Sequence, residues 1–473
     1  MANNNLWWYL AFGIPYSVSL YGDTAPESDV TETIPAAIGQ NYIDRQAYLQ
    51  NPYIGMPSGG GTQDIIESQF NADSSARKLF SDGSWNIMGA ASYVDQNGTN
   101  NYGYGVNIFA QTGQLAGFSL GGLMTIMNPA FSDQINPANP EQQTQTLPVH
   151  YQVTPQELFA EYQYDHIFQA DVGYIGINNS PWMTNYQNNA LNLVTYQGLI
   201  VNINPGSGWL LTGFATNGAQ LISENGFSQQ TRYNQSFNNE TATSDIAAKS
   251  SNGTMALGAN WVSPSEQLNA RLWGYSFGGY SNLIYADSTL KLPVNDSLGF
   301  SIAAQGATQM NNSSGENILN SSGYGENVQS DMLGLQLVFN YSIFELQLAY
   351  NNIWGPSNSY DTGNLISPYT YQMGSDPLYT TGWRDGMIEK SAGQAYKIAP
   401  EFNLLEHNLI ITPSYQYYAT TGVLPTAEYD LQLSYNIPEI KGLTLFGGYG
   451  YIETPEAPDT NNYQAQLMVS YIY

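Results

Sequence analysis

The sequence predicts an all-β protein, an 18-stranded antiparallel transmembrane β-barrel with short periplasmic turns, long extracellular loops and an inward-folded third loop. Three observations support this prediction. Apolar and polar residues alternate with a period of two in many segments, as in strands with one apolar and one polar face. The connections between these segments are alternately short and long. Only 10% of the 473 residues are charged, and there are 37 Tyr and 46 Gly, which suits a membrane barrel with aromatic girdles and a polar interior.

The composition excludes several other classes of protein. No stretch of eighteen consecutive apolar residues occurs, so a helical membrane protein is excluded. There is no Cys, which removes disulfides, zinc–thiolate sites and Cys nucleophiles. His150, His166 and His407 are widely spaced and match no metal motif, and we expect no cofactor. The net charge of −27, from 38 acidic against 11 basic residues, argues against nucleic acid as a partner.

The N-terminal part of the chain does not follow the strand pattern. The segment Leu6–Tyr21 resembles the apolar core of a signal peptide, although it lacks a preceding basic region and contains Pro15. Residues 35–61 are rich in Gly, Pro and polar residues, which is typical of irregular structure. We interpret residues 1–82 as a leader and N-terminal extension, which could also plug the barrel, and residues 83–473 as the barrel.

The last thirteen residues show the alternation most clearly. Every second residue from Tyr463 to Tyr473 is apolar or aromatic, and the intervening residues become more polar away from the terminus. An exposed edge strand of this kind would promote aggregation. Barrel closure removes the edge, and in a membrane the apolar face then points into lipid. The alternative is an edge strand of a soluble sandwich, and the connections decide between the two.

Eighteen strands are predicted from residue 84 onward. They lie near 84–94, 103–111, 115–127, 156–165, 167–177, 195–204, 208–217, 254–262, 267–277, 283–292, 297–308, 331–341, 343–354, 391–404, 407–420, 427–438, 442–453 and 461–473. Every second connection has four residues or fewer, and the five longest all belong to the other set: 128–155, 178–194, 218–253, 309–330 and 355–390. Outer-membrane barrels have this arrangement, whereas a sandwich has no reason to place all its long loops at one end.

Four stretches resemble the OprD family of outer-membrane porins, taken to include the major porins of epsilonproteobacteria. Tyr104–Met127 is similar to the family's second and third strands, and Ser180–Val201 to its third loop and sixth strand. Ser375–Lys397 is similar to its long DP-containing loop and the next strand, and Tyr429–Tyr473 to its closing three strands. The resemblance implies an eighteen-stranded barrel. Members that take up charged solutes carry an arginine ladder and a charged third loop, whereas 178–194 has no charge, so specificity for carboxylate-bearing solutes is not carried over.

Projection of the strands places eight acidic and two basic side chains in the lumen. These are Glu157, Glu161, Asp165, Asp171, Glu345, Glu401, Glu428 and Asp430, with Arg271 and Lys397. The opposite facing would place carboxylates in lipid, which is costly. Because charged rings set ion selectivity, the excess of acids predicts a channel that prefers cations at neutral pH.

Two loops are candidates for the constriction of the channel. The first is the uncharged segment 178–194, in which aromatic and amide side chains can narrow the lumen: Asn179, Pro181, Trp182, Met183, Asn185, Tyr186, Asn188 and Asn189. We expect Trp182 and Tyr186 nearest the axis; the alternative is a loop over the mouth without contact to solutes. The second candidate is 355–390, with Asp376, Arg384 and Asp385.

These features predict a bacterial outer-membrane porin for passive diffusion of small hydrophilic solutes and ions. The alternative is a plugged barrel with a structural or adhesive role at the surface. Gly274–Gly278 matches the G-x-S-x-G pattern, but a nucleophile elbow needs a strand–turn–helix context, so no enzyme is expected. The expected partners are outer-membrane lipid and lipopolysaccharide, and small solutes or cations; a homotrimer is left open.

Overall fold

Eighteen antiparallel strands form one closed barrel in this computed structural model of the chain. The structure describes residues 83–129, 151–165, 167–177, 179–184, 193–221, 226–234, 251–295, 297–312, 327–370 and 376–472. The strands are β1 Ser84–Gln96, β2 Thr99–Gln111, β3 Phe118–Pro129, β4 Gln152–Tyr164, β5 Phe168–Ile175, β6 Thr195–Gly206, β7 Trp209–Gln220, β8 Thr254–Val262, β9 Leu268–Phe277, β10 Ser281–Asn295, β11 Leu298–Asn311, β12 Gln329–Tyr341, β13 Phe344–Trp354, β14 Gly393–Leu404, β15 Leu409–Thr420, β16 Thr426–Asn436, β17 Leu443–Glu453 and β18 Asn462–Ile472.

The first and last strands close the barrel. Each strand pairs with its neighbours in sequence, and β1 pairs with both β2 and β18. The β1–β18 register runs from Met88 opposite Ile472 to Gln96 opposite Gln464. The edge that the C-terminal pattern would otherwise expose is therefore paired, which confirms the predicted barrel and excludes the sandwich.

The connections alternate as predicted. Those after the even-numbered strands have six residues or fewer, whereas the long loops all follow odd-numbered strands and so lie at the opposite end. Three of the long loops matter below: L3 (176–194), L4 (221–253) and L7 (355–392). The helices in the described ranges are short 3₁₀ segments, and none is long and apolar enough to cross a membrane.

The first hairpin differs from the predicted one. The predicted strands are separated by an eight-residue connection, 95–102. In the structure, β1 and β2 are joined by a two-residue turn at Asn97 and Gly98. Both residues have positive φ, 51° and 81°, as the favoured hairpin turns require, and Asn-Gly accommodates this conformation. The alternation was obscured because polar residues occupy both faces from Gln96 to Asn101.

The two faces of the barrel have opposite character. Outward side chains are apolar and exposed, with Leu257 at 74% and Met255 at 70%. Inward side chains such as Thr125, Gln163 and Gln416 are fully buried. In β18, Leu467, Val469 and Tyr471 point outward and Gln466 and Ser470 inward. An apolar exterior around a polar interior is the arrangement expected of a barrel that spans a membrane.

Aromatic pairs lie on several strands at the end of the barrel with the tight turns. The rings of Trp209 and Trp261 lie 6.1 Å apart, and those of Phe300 and Phe339 lie 5.4 Å apart. These rings belong to directly opposed residues on neighbouring strands. They form the aromatic girdle that the composition predicts for a membrane interface.

Candidate channel site

Nine of the ten predicted lumen charges point into the barrel. Glu157, Glu161, Asp171, Arg271, Glu345, Lys397, Glu401, Glu428 and Asp430 are all buried on the inward faces of their strands. Asp165 is placed differently, because it lies exposed in the turn between β4 and β5. Its position in a tight turn puts it at the rim of the barrel rather than on the wall.

The inward charge Asp287 was not predicted from the sequence. It lies on β10 directly opposite Arg271 of β9, and the Arg271 Nε donates to its two carboxylate oxygens at 2.9 and 3.1 Å. The Tyr285 hydroxyl donates to the same carboxylate at 2.6 Å. The short turn between β9 and β10 fixes this register, so the pair could have been found from the hairpin. Arg271 is therefore neutralised within the wall.

Two pairs of carboxylates lie directly opposite each other near the tight turns. Glu161 on β4 faces Asp171 on β5, and Glu345 on β13 faces Glu401 on β14. Like charges in direct cross-strand positions are destabilising. Glu161 is held by hydrogen bonds from Gln111, Ser119 and Gln169 at 2.8–3.0 Å, and Glu401 accepts one from Asn403 at 2.9 Å. These acidic pairs concentrate negative charge near the periplasmic mouth.

The described part of L3 folds inward and is fixed to the barrel wall. The Asn179 amide donates to Asn202 and Thr212 at 3.0 and 2.7 Å. The Ser180 and Tyr275 hydroxyls are 2.9 Å apart, and the Trp182 ring lies edge-on to Tyr285 at 5.9 Å. Pro181 and Met183 are buried beside them. Asn185, Tyr186, Asn188 and Asn189 lie outside the described residues.

L3, L4 and L7 share an apolar core inside the barrel. On β9, Trp273, Tyr275 and Phe277 stack along the inward face, with ring centroids 5.5–5.6 Å apart. Trp182 of L3, Tyr233 of L4 and Tyr369 of L7 belong to the same buried cluster. A polar interior throughout was expected from the sequence. The signal was present in β9, whose inward set is more aromatic than its outward set of Ala270, Leu272, Gly274 and Ser276.

The first half of L7 is attached to that core. Gln309 of β11 donates to the Ile366 carbonyl at 2.6 Å and accepts from the Ile366 N–H at 2.8 Å. Arg232 of L4 donates to the Thr370 carbonyl at 2.6 Å, and the Thr370 hydroxyl donates to the Trp182 carbonyl of L3 at 3.2 Å. Trp182 therefore lies between the wall and L7.

The second half of L7 is clamped by side chains of the opposite wall. The Trp383 N–H donates to Asp430 at 3.1 Å, and the Arg384 N–H donates to Glu428 at 2.6 Å. Lys397 donates to the Thr381 carbonyl at 2.7 Å, and the Arg384 guanidinium bonds Asn462 of β18. We call this set of contacts from β14, β16 and β18 the L7 clamp. Glu428, Asp430 and Lys397 thus hold a loop as well as line the lumen.

Within L7 itself, the predicted acidic residues have defined partners. Asp385 forms an ion pair with Lys390 at 2.6 Å, and Asp376 caps the Leu378 N–H at 2.9 Å. Asp361, in the first half, accepts from the Ser391 hydroxyl at 2.8 Å. Burial raises the pKa of the Asp361 carboxyl, and hydrogen bonds from Ser391 and Asn364 partly oppose this shift.

Glycines make room for the tip of L7. A Cβ on Gly382 would lie 2.1 Å from a Glu428 oxygen, and a Cβ on Gly448 would lie 2.8 Å from the Trp383 indole. Trp383 is fully buried there and packs with Phe446 at 6.4 Å between ring centroids. Its apolar neighbours Met88 and Met468 come from β1 and β18. L7 therefore crosses the lumen from β11 to the seam between β18 and β1.

A shortened L3 tests how much this loop narrows the channel. Deleting about eight residues from 178–194 should raise single-channel conductance and largely preserve ion preference, because the loop carries no charge. Its described anchors lie on one side of the barrel, so the rise should be smaller than that from releasing L7. Deletion of 456–459, which are mostly exposed in the last connection, is the control. Unchanged conductance in the L3 variant would place the narrow point elsewhere.

The described residues offer little for metal or acyl-transfer chemistry. No group of three or more His, Asp or Glu side chains within them is arranged to hold a metal ion. Ser276, the central residue of the G-x-S-x-G match, lies exposed on the outward face of β9. Its side chain therefore points away from the lumen, and the residue lies within a strand rather than in a strand-to-helix turn.

Solved structures with the same fold are porin barrels. OccD3 (OpdP) of Pseudomonas aeruginosa aligns with a TM-score of 0.66 and 15% identity over 86% of this chain and 95% of its own. A BenF-like porin from Pseudomonas fluorescens aligns with 0.67 and 12% over 84% and 99%. The outer membrane protein OpdK of Pseudomonas aeruginosa aligns with 0.65 and 12% over 83% and 99%. The predicted fold, that of the OprD-type barrels, is confirmed.

The similarity is one of fold at low sequence identity. No family model and no curated protein matches the sequence.

Proposed function

We propose that the chain is a porin of the bacterial outer membrane, a channel for passive diffusion of small hydrophilic solutes and ions that prefers cations at neutral pH. The observation that carries the proposal is a closed barrel with an apolar exterior and a polar, acidic lumen, crossed by a loop that wall side chains hold in place.

The charge of the wall supports a preference for cationic or uncharged solutes. Of the two predicted basic wall residues, Arg271 is paired with Asp287 and Lys397 holds L7. The acidic pairs Glu161–Asp171 and Glu345–Glu401 have like charges opposite each other. A cation entering between them relieves this repulsion, whereas an anion increases it. The fold relatives OpdK and OccK2 were crystallised with vanillate and glucuronate, and we infer that this chain does not share solutes of that class.

The second candidate, a plugged barrel with a surface role, is favoured by one observation. The inward wall residues Glu428, Asp171 and Gln416 are fully buried, and L7 spans the lumen. The porin and the plugged barrel have the same fold and differ in whether solutes pass through the lumen.

Planar-bilayer recording of the full chain separates the two candidates. A porin should give discrete current steps in KCl, and liposomes containing the protein should swell in small neutral sugars at rates that fall with sugar size. Barrel insertion is verified separately by the protease resistance of the reconstituted protein. Inserted protein without current steps and without swelling would reject the porin and favour the plugged barrel.

A further inference from the structure

A belt of tyrosines covers the outward face of eight adjacent strands at their extracellular ends, β13–β18, β1 and β2. Tyr350 opposes Tyr396 with ring centroids 5.2 Å apart, and Tyr93 opposes Tyr102 at 4.7 Å. Between them, Tyr429, Tyr451 and Tyr463 are successive cross-strand partners on β16, β17 and β18. We call these residues the tyrosine belt. At the other end of the barrel, aromatic pairs include Phe and Trp as well as Tyr, for example Trp209–Trp261 and Phe118–Tyr162.

The polar partners within the belt are carboxylates and amides. The Tyr463 hydroxyl donates to Asp95 at 3.3 Å, and the Tyr429 hydroxyl donates to Glu453 at 3.3 Å. The Tyr93 hydroxyl donates to the Asn100 amide oxygen at 2.6 Å. Asp95 and Glu453 are half-buried on the outward face, at the level of the membrane interface where Tyr rings reside.

No basic residue reaches this surface in the part of the chain that the structure describes. The sequence from 83 to 473 contains eight Lys and Arg residues. Arg232, Arg271, Arg384, Lys390 and Lys397 belong to the lumen or its loops, and Lys291 and Lys441 lie near the tight turns. The eighth, Lys249 of L4, is outside the described residues. Among the residues that the structure describes, the belt therefore has acidic and hydroxyl groups but no cation beside them.

Phosphate groups are recognised by Arg and Lys, and a carboxylate at the same level repels them. Tyr hydroxyls, amides and carboxylates can exchange hydrogen bonds with sugar hydroxyls, while the rings pack on apolar surface. We propose that the tyrosine belt contacts an outer-leaflet glycolipid through its sugar hydroxyls, and that the belt selects phosphate-poor over phosphorylated headgroups. The proposal rests on the outer-membrane location but not on passage of solutes.

The test is lipid retention by the full-length protein in detergent, measured by native mass spectrometry. The protein is offered diphosphorylated lipid A and the same lipid A after dephosphorylation, in the presence of EDTA. We expect the dephosphorylated form to be retained at least about fivefold more, since one charge near a lipid surface shifts binding by roughly that factor. The Asp95→Lys/Glu453→Lys variant should reverse the preference. Glu439→Lys, in the tight turn between β16 and β17, is the matched control and should not.

Two outcomes would overturn the proposal. One is equal or stronger retention of diphosphorylated lipid A by the unmodified protein in EDTA. The other is a preference for the diphosphorylated form that arises on addition of Mg²⁺, which would indicate that cations bridge the carboxylates to phosphates. The retention of the two lipid forms by the unmodified protein tests the proposal even if the Lys variant does not fold. Lipid retention is measured without any ion current. A failure of the lipid proposal is therefore distinguishable from a failure of the proposed porin function.

Discussion

Release of the L7 clamp should raise single-channel conductance severalfold, more than any other change considered. The variant Glu428→Ala/Asp430→Ala removes the acceptors of the Trp383 and Arg384 N–H groups. Hydrogen bonds to charged groups are each worth about 1.5–3 kcal/mol, so losing both shifts the tip of L7 strongly toward detached positions. Planar-bilayer recordings should show larger and noisier steps than those of the unmodified protein.

The control for this experiment removes the same charge without touching L7. Glu345→Ala/Glu401→Ala also deletes two inward carboxylates, but these oppose each other near the tight turns. It should alter ion preference and leave the size of the steps nearly unchanged. Gly382→Val gives an independent route to the same effect, because its side chain would collide with Glu428. Equal conductance in the clamp variant, the Gly382 variant and the unmodified protein would show that L7 does not limit the current.

Cation preference should fade as the medium becomes acidic. At pH 7 a KCl gradient should give a cation-selective reversal potential, because inward acids outnumber inward bases. Carboxylates protonate below about pH 4–5, while Arg and Lys keep their positive charge. The net charge of the lumen therefore moves from negative toward positive as the pH falls, and the reversal potential should approach zero and then change sign.

The acidic pairs near the periplasmic mouth should account for much of this preference. Substituting Glu161 and Glu345 by Gln, together with Asp171→Asn and Glu401→Gln, keeps the side-chain shape and removes four charges. At pH 7 this variant should lose most of its cation selectivity. The matched control, Asp95→Asn/Glu453→Gln, changes two acids on the outward face and should behave as the unmodified protein. Anion preference of the unmodified protein at pH 7 would refute the proposed selectivity.

The strands, and the side of the barrel wall to which each side chain points, could be predicted because both are local properties of the sequence. A period of two sets the face of each residue, and consecutive order with short turns sets the pairing. The predicted and observed strand ends differ at several places, one of them around Asn97 and Gly98, where both faces are polar. The pairing of Asp287 with Arg271 follows from the same rules.

The path of L7 could not be read from the sequence. The resemblance singled out Ser375–Lys397, but the position of that segment depends on backbone N–H groups of Trp383 and Arg384 meeting carboxylates on β16. Backbone donors leave no pattern in the sequence. The fit also depends on Gly382 and Gly448, whose importance is apparent only once the facing surfaces are known. The same applies to the core that L3, L4 and L7 share.

The seam between β1 and β18 imposes an order on the assembly of the protein. Gln96 and Gln464 are opposed in the register although they are 368 positions apart (464 − 96). Contacts between such distant residues form slowly, because the entropy of closing the loop must be overcome first. A chain interrupted before β18 retains two open edges, each able to recruit another chain. Productive folding therefore requires that the nascent barrel be kept apart from its copies until its last eleven-residue strand is available.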